Sequence, residues 1–136
     1  MVEYTYQQKI AIMRILLDII HADGIIDARE TFFFEKLKGE FGLEDEDHEV
    51  VKNKNSLLAL TQIKLLDEEQ KEHIAKLMAK MIIVDEDINI NEVAIYNVVS
   101  EFCGIGKDFK ESITTEASHG DRGFTSVQLS AAIKNE

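Results

Sequence analysis

A helix–acidic turn–helix pattern occurs twice in this chain of 136 residues, and the two copies are offset by 62 residues. The first copy centres on residues 21–30 and the second on residues 83–92. Each has an aspartate, an isoleucine three residues later, an Asp or Asn one residue further and a glutamate at the seventh position after the aspartate. Matching apolar and glycine positions continue on both sides of the turns: Leu16 and Met78, Ile20 and Ile82, Phe33 and Ile95, Leu37 and Val99, and Gly42 and Gly104. The repeat predicts a frame of two related helix pairs.

The spacing of apolar residues predicts an all-α fold. Apolar residues recur at three- and four-residue steps, no stretch alternates with a period of two, and proline is absent. We expect one compact domain over residues 1–136 with about seven or eight helices and an internal duplication. The repeat units cover roughly residues 8–43 and 68–105, and residues 106–136 form a C-terminal helical extension.

Individual helix ends follow from capping residues. The first helix is expected over about residues 4–22, ended by Asp23-Gly24. The acidic run at residues 44–47 suits the first turn of a third helix. Asn55 or Ser56 and then Asp67 are expected to cap the fourth and fifth helices.

The net charge of −11 limits the classes of partner. Nucleic acid and anionic membranes both require a basic face, so we expect neither as a partner, and no apolar run is long enough to insert into a membrane. Cations and basic proteins are favoured electrostatically. The single cysteine, Cys103, rules out an intramolecular disulfide, and the N-terminal residues lack a signal-peptide pattern. These features predict a cytoplasmic location.

The acidic turns have a simple structural interpretation. Asp27 with Glu30, and Asn89 with Glu92, have the spacing of a capping box, which stabilises a helix start by about 1 kcal/mol. Asp23-Gly24 is a common turn dipeptide. Among the acidic residues of the two turns, Asp23 and its counterpart Asp85 are the ones whose presence helix capping explains least.

A cation site is the alternative interpretation. The order Asp-Gly-x-Ile-x-x-x-Glu from Asp23 to Glu30 matches the second half of an EF-hand loop, but the first and third loop positions fall on Ile19 and His21. A complete EF-hand is therefore excluded, and a cation would need oxygen atoms from another segment. Oxygen ligands favour Ca²⁺ or Mg²⁺ over Zn²⁺. The candidate ligands are Asp23, Asp27, Glu30, Asp85, Asp87 and Glu92.

These residues also resemble a known family. The helix-Ala-Asp-Gly-x-Ile-Asp-x-x-Glu-helix unit, with a second copy about sixty residues later, is similar to the tellurite-resistance TerB-like domains. Such domains also occur fused to membrane-anchored DnaJ-like co-chaperones. The resemblance covers roughly residues 8–105, and the second copy departs from it at Glu86 and Asn89. It implies an all-helical acidic module that binds a cation or serves as a scaffold and is linked to stress responses, including tellurite resistance. We therefore expect a non-enzymatic module that binds Ca²⁺ or Mg²⁺ and a protein partner.

Other candidate sites are weaker. Cys103 corresponds to Phe41 in the first copy, which predicts a buried apolar position, and no local motif indicates an enzyme. An interaction or co-chaperone-like scaffold module with purely structural turns stays as the second hypothesis. In that case the aromatic cluster at residues 32–34 or the acidic run at residues 44–49 would face the partner.

Overall fold

Six α-helices make up the computed structural model, which describes residues 2–22, 24, 26–84 and 88–105. They are α1 (Tyr6–Ile20), α2 (Ala28–Glu40), α3 (Asp45–Asn53), α4 (Ser56–Lys64), α5 (Glu68–Ile83) and α6 (Ile90–Cys103). No strand occurs within these ranges. The expected all-α class is confirmed. The one or two further helices expected after residue 106 lie outside the described residues.

The core is organised around α1. This helix contacts each of the other five described helices. Its buried residues are Ile10, Ala11, Ile12, Met13, Ile15, Leu16, Ile19 and Ile20. A helix with apolar side chains on nearly all sides is stable only in the interior. The structure therefore places α1 at the centre of the core, with α5 as the second large contributor.

Most helix starts are formed by the expected capping residues. Asn55 caps α4 through its side-chain oxygen, and Asp67 forms a full capping box with Gln70 at the start of α5. Glu44 and Asp47 form a similar box at α3. The cap of α1 was not foreseen: Thr5 and Gln8 form a capping box, so the helix begins at Tyr6 rather than Tyr4.

The two helix pairs that flank the acidic turns have closely corresponding bounds. Tyr6 and Ala28, which begin α1 and α2, lie 62 residues before Glu68 and Ile90, which begin α5 and α6. The C-terminal ends of α2 and α6 also correspond, because the glycines that follow them, Gly42 and Gly104, both have positive φ angles, of 71° and 74°. The following amides, of Leu43 and Ile105, donate to carbonyl groups five residues earlier, at 3.0 and 2.9 Å. Corresponding helices therefore start 62 residues apart, and α2 and α6 also end with the same local backbone geometry.

Candidate functional site

The first acidic turn joins α1 to α2. The amide of His21 donates to Leu17, and Gly24 follows with a φ of 76°, which suits glycine. Asp27 is the N-cap of α2, and its Oδ1 accepts the amide N–H of Arg29 at 2.7 Å. The side chain of Arg29 lies 3.4 Å from the same oxygen. Asp27 thus has the capping function expected for it.

Hydrogen bonding at this cap lowers the pKa of the Asp27 carboxyl group. The backbone N–H of Arg29 is the largest cause that lowers the pKa of Asp27, and the nearby guanidinium group adds to it. The carboxylate is consequently ionised at neutral pH and stabilises the start of α2.

The second acidic turn joins α5 to α6 and ends in the same way. Asn89 is the N-cap of α6, and its Oδ1 accepts the amide N–H groups of Asn91 at 2.8 Å and Glu92 at 3.2 Å. An amide oxygen here replaces the carboxylate of Asp27. The cap is preserved, but without the negative charge.

The burial of the glutamate at the third helical position distinguishes the starts of α2 and α6 from the other four helix starts. Glu30 is 1% exposed and Glu92 is 2% exposed. The same position in the other four helices is partly or fully exposed, namely Gln8, Asp47, Leu58 and Gln70. Three of those residues take part in capping boxes at the surface. Capping therefore does not require burial, and it does not account for the depth of Glu30 and Glu92.

A buried carboxylate has particular requirements. Its transfer from water is unfavourable unless hydrogen-bond donors, a proton or a cation compensate the charge. Both glutamates make interactions within the chain. Their oxygen atoms are of the type that Ca²⁺ and Mg²⁺ prefer. The donor chemistry of Glu30 and Glu92 therefore fits a hard cation.

The six candidate ligands are only partly placed by the structure. Asp27, Glu30 and Glu92 are described, whereas Asp23, Asp85 and Asp87 lie outside the described residues. Among residues 2–22, 24, 26–84 and 88–105, no three His, Cys, Asp or Glu side chains are arranged to hold a metal ion. Half of the candidate set falls in the gaps between those ranges, so the six-residue site stays a prediction.

A groove beside the first turn was not predicted. It has a volume of about 400 Å³ and is lined by Arg14, Leu17, Asp18, His21, His48 and Lys52. Arg14 donates to Asp18 at 2.7 Å and to the carbonyl of Lys52 at 2.6 Å, and Ser56 donates to Asp18 at 2.7 Å. These bonds fasten α1 to the junction of α3 and α4. The four-residue spacing of Arg14 and Asp18 on one helix is the sequence feature that could have indicated the ion pair beside this groove.

A tyrosine–histidine pair fixes the N-terminal segment to α5. The hydroxyl of Tyr4 lies 2.6 Å from Nδ1 of His73, and their rings stack with centroids 5.7 Å apart. Burial is the main cause that raises the pKa of Tyr4 and lowers the pKa of His73. Both shifts favour the neutral forms, so the pair is a structural contact in the folded protein.

Cys103 lies in the core, as expected from its position in the repeat. It is 1% exposed, and its thiol donates to the carbonyl of Leu60 at 3.4 Å. Burial raises the pKa of the Cys103 thiol, although Lys71 and Lys64 act in the opposite direction. A protonated, inaccessible thiol is unsuited to nucleophilic chemistry.

No helix in the described ranges is long and apolar enough to cross a lipid bilayer.

Comparison with known proteins identifies a similar fold. No family model and no curated protein matches this chain. Among solved structures, the chain is similar to the protein of unknown function PG1108 from Porphyromonas gingivalis W83, with a TM-score of 0.67 and 23% sequence identity. The similarity covers 85% of this chain and 98% of that one. At this level of identity the likeness shows a shared fold alone.

Proposed function

We propose that the chain is a non-enzymatic helical module of the TerB-like type that binds Ca²⁺ or Mg²⁺ at its two acidic turns. The binding residues would be Asp23, Asp27 and Glu30 in the first turn and Asp85, Asp87 and Glu92 in the second. The resemblance of the repeated motif to TerB-like domains supports a role in stress responses, including tellurite resistance. A protein partner would respond to the bound cation.

The observation that carries the proposal is the burial of Glu30 and Glu92 at corresponding positions. A glutamate needed only for capping could remain at the surface, as the residues at the same position of α1, α3 and α5 do. A cation held between the helix start and the preceding turn would compensate each buried carboxylate. Carbonyl groups at the C-terminal ends of α1 and α5 also favour positive charge nearby.

Calorimetric titration of the full chain with CaCl₂ and MgCl₂ tests this proposal. We expect saturable heat below about 1 mM ion, the weak end of protein calcium sites. The double variant Glu30→Gln with Glu92→Gln keeps the side-chain shape and removes two charges, and we expect it to lose at least tenfold in affinity. No wild-type heat in this range, or equal binding by that variant, would contradict the proposal.

A matched control separates a specific site from general attraction to an acidic protein. Glu69 and Glu101 are exposed and lie away from the turns. The double variant Glu69→Gln with Glu101→Gln makes the same change in net charge. It should bind either ion within about twofold of wild type, because exposed charges are screened by salt.

A protein-interaction module is the second candidate function, favoured by the exposure of Phe32. Phe32 is 72% exposed near the start of α2, whereas the neighbouring Phe34 is buried. Interfaces commonly use such aromatic side chains as anchors. This function would leave the stability of the protein unchanged by divalent ions, whereas a Phe32→Ser substitution would abolish binding of the partner.

A further inference from the structure

The groove beside the first acidic turn lies between α1 and α3, and we call it the α1–α3 groove. Its lining includes four side chains with basic nitrogen atoms, namely Arg14, His21, His48 and Lys52. The whole chain, by contrast, has 26 Asp and Glu residues against 15 Lys and Arg residues. A concave surface lined by nitrogen donors favours an anionic ligand, because its charges and N–H groups converge on one space.

The helical repeat explains why these residues converge. On α1 and its C-cap, Asp18 and His21 follow Arg14 at four and seven residues. On α3, Lys52 follows His48 at four residues. Residues at these spacings lie on the same side of a helix. Since α1 and α3 are in contact, the two sets line one groove.

Hydrogen bonds fix the base of the groove. The guanidinium group of Arg14 donates to Ser56 Oγ at 3.2 Å, to the carbonyl of Lys52 at 2.6 Å and to Asp18 at 2.7 Å. Ser56 in turn donates to Asp18 at 2.7 Å. The side chains of Arg14 and Asp18 are 22% and 24% exposed. A base that is ordered before a ligand arrives reduces the entropy lost on binding.

The other nitrogen donors are available to a ligand. The rings of His48 and Phe34 meet edge to face, with centroids 6.2 Å apart, and this contact positions the imidazole of His48. Within the described ranges, neither the imidazole of His21 nor that of His48 makes a hydrogen bond. Nζ of Lys52 lies 3.8 Å from Glu49 in an exposed ion pair, which contributes little free energy.

The groove suits an anion better than a cation. Asp18, its carboxylate, already accepts hydrogen bonds from Arg14 and Ser56. In the part of the chain that the structure describes, no three His, Cys, Asp or Glu side chains are arranged to hold a metal ion. The charge of Arg14 is balanced by Asp18, so the positive charge left in the groove comes from Lys52 and from the histidines when they are protonated.

Size and an apolar side chain narrow the class of ligand. The volume of about 400 Å³ lies within the range of sites for small organic molecules and exceeds the volume of a phosphate group alone. Leu17 contributes an apolar side chain to the lining. A phosphate monoester combines several acceptor oxygen atoms with an organic group that fits against such a side chain.

We propose that the α1–α3 groove binds the phosphate monoester of a small organic molecule. His21, His48 and Lys52 contact the phosphate oxygen atoms above the ordered guanidinium group of Arg14, and Leu17 packs against the organic group. This binding does not require a cation at the acidic turns.

Titration of the full chain with phenyl phosphate, followed through the NMR signals of the histidine imidazoles, tests the proposal. EDTA removes divalent ions, and pH and ionic strength are held constant. We expect saturable shifts of the His21 and His48 signals with a Kd of about 5 mM or below, as suits a ligand of this size. His73, which bonds Tyr4, should not shift. No saturable shift at His21 and His48, or an equal shift at His73, would overturn the proposal.

Matched variants separate the groove from general attraction between charges. Lys52→Gln removes one exposed charge from the groove and should weaken binding about threefold. Lys36→Gln makes the same change at an exposed position of α2 and should bind within about 1.5-fold of wild type, because distant charges are screened. Equal weakening by the two substitutions would contradict a specific site.

Two further probes identify the groups that are recognised. Benzoate carries a carboxylate on the same ring, and it should bind at least about threefold more weakly because it offers fewer acceptor oxygen atoms. Inorganic phosphate lacks the ring and should also bind at least about threefold more weakly, since it makes no apolar contact. Equal affinity for benzoate would overturn recognition of phosphate, and equal affinity for inorganic phosphate would overturn recognition of the organic group.

Discussion

At the scale of single residues, Glu30 and Glu92 distinguish the two acidic turns from ordinary helix starts. The spacing of the motif identified both residues, but the capping pattern predicts a surface position for them. Their burial could not be predicted, because it depends on how α2 and α6 lie against the central helices. By contrast, the core position of Cys103 followed from its alignment with Phe41 in the repeat and is confirmed.

The cap residue Asp27 gives a prediction on pH dependence. Asp27→Ala should lower the free energy of unfolding by about 1 kcal/mol at pH 7, as measured by urea denaturation. Hydrogen bonding to the Arg29 amide lowers the pKa of Asp27, so its contribution is present above the ordinary carboxyl pKa of 3.8 and disappears as the pH falls further. The difference between wild type and Asp27→Ala should therefore shrink below that pH.

Asn89 provides the control for this titration. It caps α6 with a neutral amide oxygen. Asn89→Ala should cost a similar free energy of unfolding, and the cost should not vary between pH 7 and the acid range. A pH-independent effect at Asp27, or an equally pH-dependent effect at Asn89, would contradict this account of the caps.

At the scale of helices, starts were easier to predict than exposed faces. Asn55, Asp67 and Asn89 were recognised as caps because a side-chain oxygen at a helix start has a local function. The short helix α4 carries leucine and isoleucine on nearly every side, so its periodicity could not show that Leu57, Leu58 and Leu65 are exposed. Which side of such a helix is buried is decided by its neighbours.

Helix ends give a second prediction. Gly42 and Gly104 have positive φ angles, and a methyl group at either position would meet no atom closer than 3.8 Å. Gly42→Ala and Gly104→Ala should each lower the free energy of unfolding by about 1–2 kcal/mol, purely from the left-handed backbone. Chemical denaturation of both variants measures this.

Gly39 is the internal control for the helix ends, because it lies within α2 and has open space around it. Gly39→Ala should raise the free energy of unfolding by about 0.5–1 kcal/mol, since alanine loses less backbone entropy in a helix. A stabilising effect of alanine at Gly42 or Gly104 would show that those backbone conformations are not required.

At the scale of the whole molecule, two helix pairs with corresponding bounds surround a common core. The all-α class could be predicted because helical periodicity and the absence of proline are local properties of the sequence. The central position of α1 could not, since it depends on contacts with five other helices. The acidic turns follow the C-terminal ends of α1 and α5, which is where we propose that a cation binds.

The most direct test of cation binding is a titration of the ¹⁵N-labelled full chain with CaCl₂, followed by amide chemical shifts. The titration is carried out in about 0.1 M KCl, where charges more than about 10 Å apart are screened. We predict saturable shifts, below about 1 mM ion, at the amides of both turns, including Gly24 and Ile88, with the acidic run at residues 44–49 unaffected. Shifts confined to that acidic run, or none at either turn, would contradict the proposed function.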